Sequence, residues 1–236
     1  MGIELISLHI PKTAGSTFWN YIQKLYGSEA VFHEDKDRIL DPGSKYNIDP
    51  VGWRGELEEA VTQIGSEIRV IHGHFTATKY QDVFPLARRI VWLRHPVLRL
   101  ISHYFFWKSK SKTVSKHTIH EYMEDNNLSI IDFAKLPMMR NILVNFYLKD
   151  VTLDNFDFVG IQEYFDQDLK KLCSIMEWPY NTPEEINRNI APNYNDKRKN
   201  MLSDRNLLEA LEGLNQDDMK IYNEALRLHG YENNTE

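Results

Sequence analysis

Three times along this chain a short, almost uninterrupted apolar run stops at a loop and gives way to residues with helical spacing. That alternation restricts the fold to strands covered on both faces by helices. Residues 4–10, apolar at Leu5, Ile6, Leu8 and Ile10, are followed by 16–26, with Phe18, Ile22 and Leu25 on one stripe. Residues 89–94 lead into a helix opened by Pro96, whose missing N–H costs nothing at a first helical position, and running to about Lys108. Residues 156–161 lead into a helix over 162–178. Residues 68–72 make a further strand behind helical spacing over 54–64, and the polar stretch 33–50 reads as loop. Beyond Ser109 the pattern turns mostly helical, with candidates at 120–125, 130–136, 138–148, 204–214 and 217–229. The expectation is an α/β three-layer domain, single over residues 1–236, with a mainly parallel sheet and a mostly helical C-terminal third.

Composition removes other classes. With 236 residues and 42% of them hydrophobic, the chain can bury a sizeable core. No run approaches the roughly 18 apolar residues a membrane helix needs. Residues 1–17 are interrupted by Glu4, His9, Pro11 and Lys12, unlike a secretory signal, so a soluble, cytoplasmic protein is expected. The single cysteine, Cys173, cannot form an internal disulfide, and its spacing with Leu169, Leu172 and Met176 makes it a core thiol. A net charge of −6 argues against bulk nucleic-acid binding, yet residues 83–120 contain no Asp or Glu and carry eight Lys and Arg and four His. A single-sign field of that kind concentrates an anionic ligand; a solvated basic face is the plainer alternative.

The segment His9-Ile10-Pro11-Lys12-Thr13-Ala14-Gly15-Ser16-Thr17 lies between a strand and a helix, where phosphates bind. A helix N-terminus offers open N–H groups, Gly15 permits close backbone approach, Ser16 and Thr17 supply hydroxyls, and Lys12 adds a charge. The lysine precedes the glycine, unlike the nucleoside-triphosphate loop, where it follows. A capped helix start with an incidental lysine is the competing reading.

Pro11-Lys12-Thr13-Ala14-Gly15-Ser16-Thr17 resembles the 5′-phosphosulfate loop of sulfotransferases that use 3′-phosphoadenosine 5′-phosphosulfate (PAPS). The family's second element, an arginine ending a later strand and a serine eight residues on, is matched by Arg94 and Ser102 in Val91-Trp92-Leu93-Arg94-His95-Pro96-Val97-Leu98-Arg99-Leu100-Ile101-Ser102. Between them, Ile71-His72-Gly73-His74-Phe75 is similar to a His-Gly-His of heparan sulfate 2-O-sulfotransferases. The resemblance implies a P-loop-like fold and nucleotide contacts from Lys12, Thr13, Ala14, Gly15, Ser16, Thr17, Arg94 and Ser102. It implies catalytic roles for His74, Lys12 and His72, with the second histidine as base. From Asn187-Arg188-Asn189-Ile190-Ala191-Pro192-Asn193 it adds Arg188 and Asn189, in the region where relatives fold a nucleotide-covering loop. Animal relatives carry a membrane anchor and stem that this chain does not show, so matrix polysaccharide is not the implied acceptor.

The implied reaction moves a sulfuryl group from PAPS to an acceptor hydroxyl of a carbohydrate, glycan or other anionic small molecule, leaving 3′-phosphoadenosine 5′-phosphate (PAP). The transferred group carries less charge than a phosphoryl group, so no metal is expected. Charge growing on the leaving phosphate suits Lys12 and the loop amides. Removal of the acceptor proton suits a histidine. For His72 and His74 a metal pair and a structural role remain alternatives to general base and assistant, and His9 is read as strand-end packing. Lys108, Lys110, Lys112 and Lys116 are read either as attracting an anionic acceptor or as a solvated segment, and Tyr104, Phe105, Phe106 and Trp107 either as a sugar-stacking surface or as core. An ATP-dependent kinase and a non-catalytic PAP-binding module are the alternative functions.

Overall fold

In a computed structural model the described residues are 2–62, 64–110, 117–184 and 193–231. Five strands, β1 (Leu5–Leu8), β2 (Val31–Glu34), β3 (Val70–Gly73), β4 (Arg88–Leu93) and β5 (Phe158–Ile161), form one sheet in the order β2-β3-β1-β4-β5. Every pairing is parallel, as two-sided burial of the apolar runs requires.

Successive side chains of a strand point to opposite faces, and here they sort into two cores. Leu5, Val70, Ile90 and Trp92 face α1 (Gly15–Tyr26) through Phe18 and Ile22, together with Leu169, Leu172 and Cys173 of a later helix. Ile6, Leu8, Ile71, Val91 and Leu93 face the other way, into the larger core. The remaining helices are α2 (Lys45–Ile48), α3 (Pro50–Thr62), α4 (Pro96–Lys108), α5 (Thr118–Asp125), α6 (Ile130–Lys135), α7 (Phe165–Met176), α8 (Tyr194–Ser203), α9 (Arg205–Leu214) and α10 (Gln216–His229). Cys173 is free and buried against the Tyr21 hydroxyl, 3.0 Å away.

Several elements depart from the sequence pattern, among them the short α2 within the stretch 33–50 expected as loop. The edge strand β2 was expected as part of a loop from His33 onward. Its end is held by residues remote in the chain: the Lys79 ammonium lies 2.7 Å from Asp37 and 3.3 Å from Glu34, and the Tyr80 hydroxyl donates to Glu34 at 2.9 Å. All three charged groups are buried, and removing one partner of such a buried set typically costs about 3–5 kcal/mol. The expected helix 138–148 is a short 3-10 turn, Pro137–Met139, and a π-helical turn, Leu143–Tyr147, separated at Asn141, whose φ of 46° cannot continue a helix. The Asp218 carboxylate accepts from Leu143 N and Val144 N, while the Asn141 side-chain oxygen accepts from Asp217 N and Asp218 N, so this turn and α10 cap each other. Helix α8 has no apolar stripe to announce it.

Candidate functional site

The strand order reverses at β1. The chain leaves β1 for one edge of the sheet and later returns past it from β3 to β4, which opens a crevice at the carboxyl ends of the strands. A cleft of about 1110 Å³ lies there.

The loop from β1 enters the cleft with two strained residues. Lys12 (φ 72°) and Ala14 (φ 66°) are both left-handed, a conformation that costs about 1 kcal/mol or more for a residue with a Cβ. Ala14 stands at the N-cap of α1 and has no side-chain oxygen to cap it, so the first N–H groups of that helix have no side-chain cap. Lys12, Ala14, Gly15, Ser16 and Thr17 line the cleft. Thr13 does not: its hydroxyl is buried and donates to the Ile10 carbonyl at 2.9 Å, which leaves only its backbone for a ligand. Gly15 has a reason beyond ligand approach, because a Cβ there would lie 1.9 Å from the His9 ring.

Arg94, at the end of β4, donates to the Lys12 carbonyl at 3.1 Å and stands 3.9 Å from Glu163, while its Nε has no hydrogen-bond partner. Ser102, nearly two turns into α4, is buried and lines the same cleft. Arg99 of the same helix is turned into the core, where burial lowers its pKa to about 10 against the pull of Asp218. Lys12 Nζ sits 4.1 Å over the Phe106 ring. Burial, then the charges of Arg94 and Lys110, push its pKa down to about 8.

Two residues absent from the sequence reading also belong here. Tyr194 and Arg198 of α8 line the cleft beside Arg94; Tyr194 hydrogen-bonds it, and the buried Nε of Arg198 has no partner. The basic run Lys197-Arg198-Lys199 was the available signal. Arg188 and Asn189 lie outside the described residues, as do Lys112 and Lys116.

The histidines separate by depth. Gly73 allows β2 to pass so close that a Cβ would fall 1.7 Å from the Glu34 carbonyl oxygen, and the histidines on either side of it, His72 and His74, stack with His9. His9 lies between the others, with centroids 5.1 Å from His72 and 4.2 Å from His74. His72 is buried beneath the cleft with Nδ1 2.9 Å from the Ser7 hydroxyl and does not line it. Of the roles given to it above, its burial leaves that of assistant to His74. His9 and His74 do line the cleft. His74 Nδ1 is 2.6 Å from the His9 carbonyl, which can only accept, so Nδ1 carries the proton and Nε2 keeps its lone pair. Burial lowers the His74 pKa to about 4, which leaves the ring neutral at pH 7. Asp35 shares this wall, whereas Glu34 is held by Lys79 and Tyr80.

At the far end, Arg38, His103, Phe106, Trp107, His117 and Tyr147 face the cleft. Tyr104 and Phe105 are core residues, so the aromatic run on α4 divides between the two expected roles. Lys108 hydrogen-bonds Asn127 at 2.9 Å, and Lys110 lies 5.2 Å from the Phe106 ring centre. Among the described residues no group of three or more His, Cys, Asp or Glu is placed to hold a metal ion, and no helix is long and apolar enough to cross a membrane.

Among solved structures the chain is similar to a sulfotransferase from Alicyclobacillus acidocaldarius (14% identity over 90% of this chain and 95% of that one, TM-score 0.38). It is similar also to mouse sulfotransferase SULT7A1 complexed with PAP (12%, 76% and 60%, TM-score 0.38) and to retinol dehydratase in a complex with retinol and PAP (11%, 96% and 81%, TM-score 0.36). No curated protein matches the chain. The profile of the sulfotransferase family matches residues 3–223, a span that takes in the loop after β1, the His72-Gly73-His74 segment and the turn from Arg94 to Ser102. The chain therefore belongs to the sulfotransferase family.

Proposed function

We propose that this chain, as one domain over residues 1–236, transfers a sulfuryl group from PAPS to a hydroxyl of a carbohydrate acceptor. The observation that carries the reading is the state of Lys12. Its charged neighbours among the described residues are Arg94 and Lys110, and their repulsion and burial hold its pKa near 8. Nearby, Arg94 Nε and Arg198 Nε are buried without a hydrogen-bond partner, and among the described residues Arg94 has only the longer ion pair to Glu163 at 3.9 Å. Cations crowded this way at a helix N-terminus fit a polyanion with phosphates at two positions, and PAPS has that shape.

In this reading Lys12 and the N–H groups of the loop hold the 5′-phosphosulfate, and Arg94 with Ser102 takes the 3′-phosphate. When bound, PAPS supplies the sulfuryl group, its sulfur bonding to the acceptor oxygen as the bond to the phosphate oxygen breaks. Lys12 meets the negative charge that grows on that phosphate oxygen, and the fixed cation needs no reorganisation to do so. His74 Nε2 takes the acceptor's proton. The tautomer set by the His9 carbonyl supports this role, as does the likeness of His72-Gly73-His74 to heparan sulfate 2-O-sulfotransferases. His72, the buried end of the stack, supports the orientation of His9 and, through it, of His74.

The test is thermal stabilisation by PAP, ADP and ATP with and without Mg²⁺. PAP is expected to raise the melting temperature without metal and ADP to do little. Arg94→Ala is expected to weaken PAP at least about tenfold, the worth of a charge-assisted contact. Equal stabilisation by ADP and PAP refutes the donor assignment; PAP binding without sulfate transfer to any of a panel of glycans leaves a nucleotide-binding module.

A further inference from the structure

On α4, His103 and Trp107 stand one turn apart with ring centres 4.3 Å apart, and His117, just before α5, packs against the same indole at 4.8 Å. Both imidazoles line the cleft, and the Nδ1 of each is buried without a hydrogen-bond partner. His103 is only 4% exposed. Leaving a buried polar atom unpaired is costly, so two on one wall mark a place for a polar ligand.

The electrical character of that wall narrows the ligand. Burial, then the charges of Arg99 and Lys12, hold His103 well below the ordinary histidine range. Burial lowers His117 to about 4, against the pull of Asp41. Both rings are therefore neutral at pH 7. Arg38 is ion-paired with Asp41, so its charge is balanced within the wall. A neutral imidazole has one N–H donor and one acceptor nitrogen, and a pair of them matches groups that both donate and accept, as hydroxyls do. A carboxylate or sulfate here would meet the acceptor nitrogens with repulsion and would gain little from an arginine already paired.

We propose that His103 and His117, held apart by the Trp107 indole, form the acceptor subsite and grip two hydroxyl groups of an uncharged polyol ring beside the reacting hydroxyl. This rests on the sulfotransferase reading above and narrows it from the anionic acceptor suggested by the basic segment 83–120. Discrimination is set by neutral hydrogen bonds from the two rings, whose neutrality the nearby charges of Arg99 and Lys12 reinforce on His103.

The experiment uses the PAP-loaded chain and two probes of equal shape, methyl β-D-glucopyranoside and methyl β-D-glucopyranosiduronate, with binding read by saturation-transfer NMR. The neutral sugar is expected to bind more tightly than the uronate. His117→Phe and His103→Phe keep a ring against Trp107 but remove the hydrogen bonds; each is expected to weaken the neutral sugar roughly fivefold, with PAP affinity unchanged. His117→Gln, which can still donate and accept, is expected to recover part of the loss, a rescue that mere packing would not give. His117 is half-buried, so its variants keep the test available where His103→Phe does not fold. Preference for the uronate, no binding of either sugar, or Phe variants that bind the neutral sugar as well as the parent chain overturns the subsite. Failure of PAP to bind the parent chain refutes instead the donor reading on which the subsite rests.

Discussion

At the phosphate-loop end of the cleft, Lys12, Arg94 and Arg198 crowd cationic nitrogens together. Around Trp107, His103 and His117 are neutral and Arg38 is matched by Asp41, while Lys12 and Lys110 approach through the shared Phe106 ring. Among the described residues only Glu163, 3.9 Å from Arg94, opposes the charge of the first end, so binding of an anion there is expected to weaken with added salt. The second end offers short-range hydrogen bonds, which salt leaves nearly unchanged. One cleft thus separates two tasks by charge: attraction of a polyanionic donor and recognition of an acceptor by shape and hydroxyl pattern. His74 lines the same cleft and joins the two tasks in the proposed reaction.

The largest expected effect concerns that junction. His74→Ala is expected to lower turnover by about 10²- to 10⁴-fold, the usual worth of a positioned base, while PAP affinity stays near that of the parent. His74→Asn, similar in size but not basic at neutral pH, is expected to be equally impaired. Because the free ring titrates near 4 and only the neutral ring accepts a proton, kcat/KM is expected to hold down to about pH 5 and fall through pH 4, well below the ordinary histidine range. Activity within a few-fold of the parent in His74→Ala would move the base role to Asp35, the carboxylate on the same wall.

A smaller effect tests the cationic end. With Lys12 near 8 in the ligand-free chain, a bound anion raises its pKa, so PAP binding at pH 8 to 9 is expected to take up a proton and to weaken as pH rises through that range. Calorimetry in buffers of different ionisation enthalpy reads the proton directly. Lys12→Ala is expected to abolish the uptake and to lower turnover more than affinity, since its main partner is charge that develops during transfer. Proton uptake that survives the substitution would assign it elsewhere.

The smallest effect separates the two ends most finely. Arg198→Ala is expected to weaken PAP several-fold at low salt and less at high salt, with no change in sugar binding. An Arg198→Ala variant that loses the sugar but keeps PAP breaks the division of the cleft into two electrical halves.

By itself the sequence determined what depends on near neighbours. Alternating apolar runs and helical stripes marked four of the five strands and most helices, Pro96 set the start of α4, and the phosphate loop and the Arg94 to Ser102 spacing could be read because each lies within a dozen residues. Short-range order fixes backbone dihedrals, caps and periodicity, and those leave a local imprint. The tertiary structure decided what depends on distant partners. Strand β2 is held by Lys79 and Tyr80, and the helix expected at 138–148 was broken by reciprocal capping with α10. His72 and His74 look alike in sequence, yet one is buried beneath the cleft and the other opens onto it, because β2 and the loop after β1 cover them to different depths. The histidines of 83–120 read as part of a basic segment, but burial keeps His95, His103 and His117 uncharged. A pKa is set by what surrounds a group in three dimensions, and no run of adjacent residues contains that information.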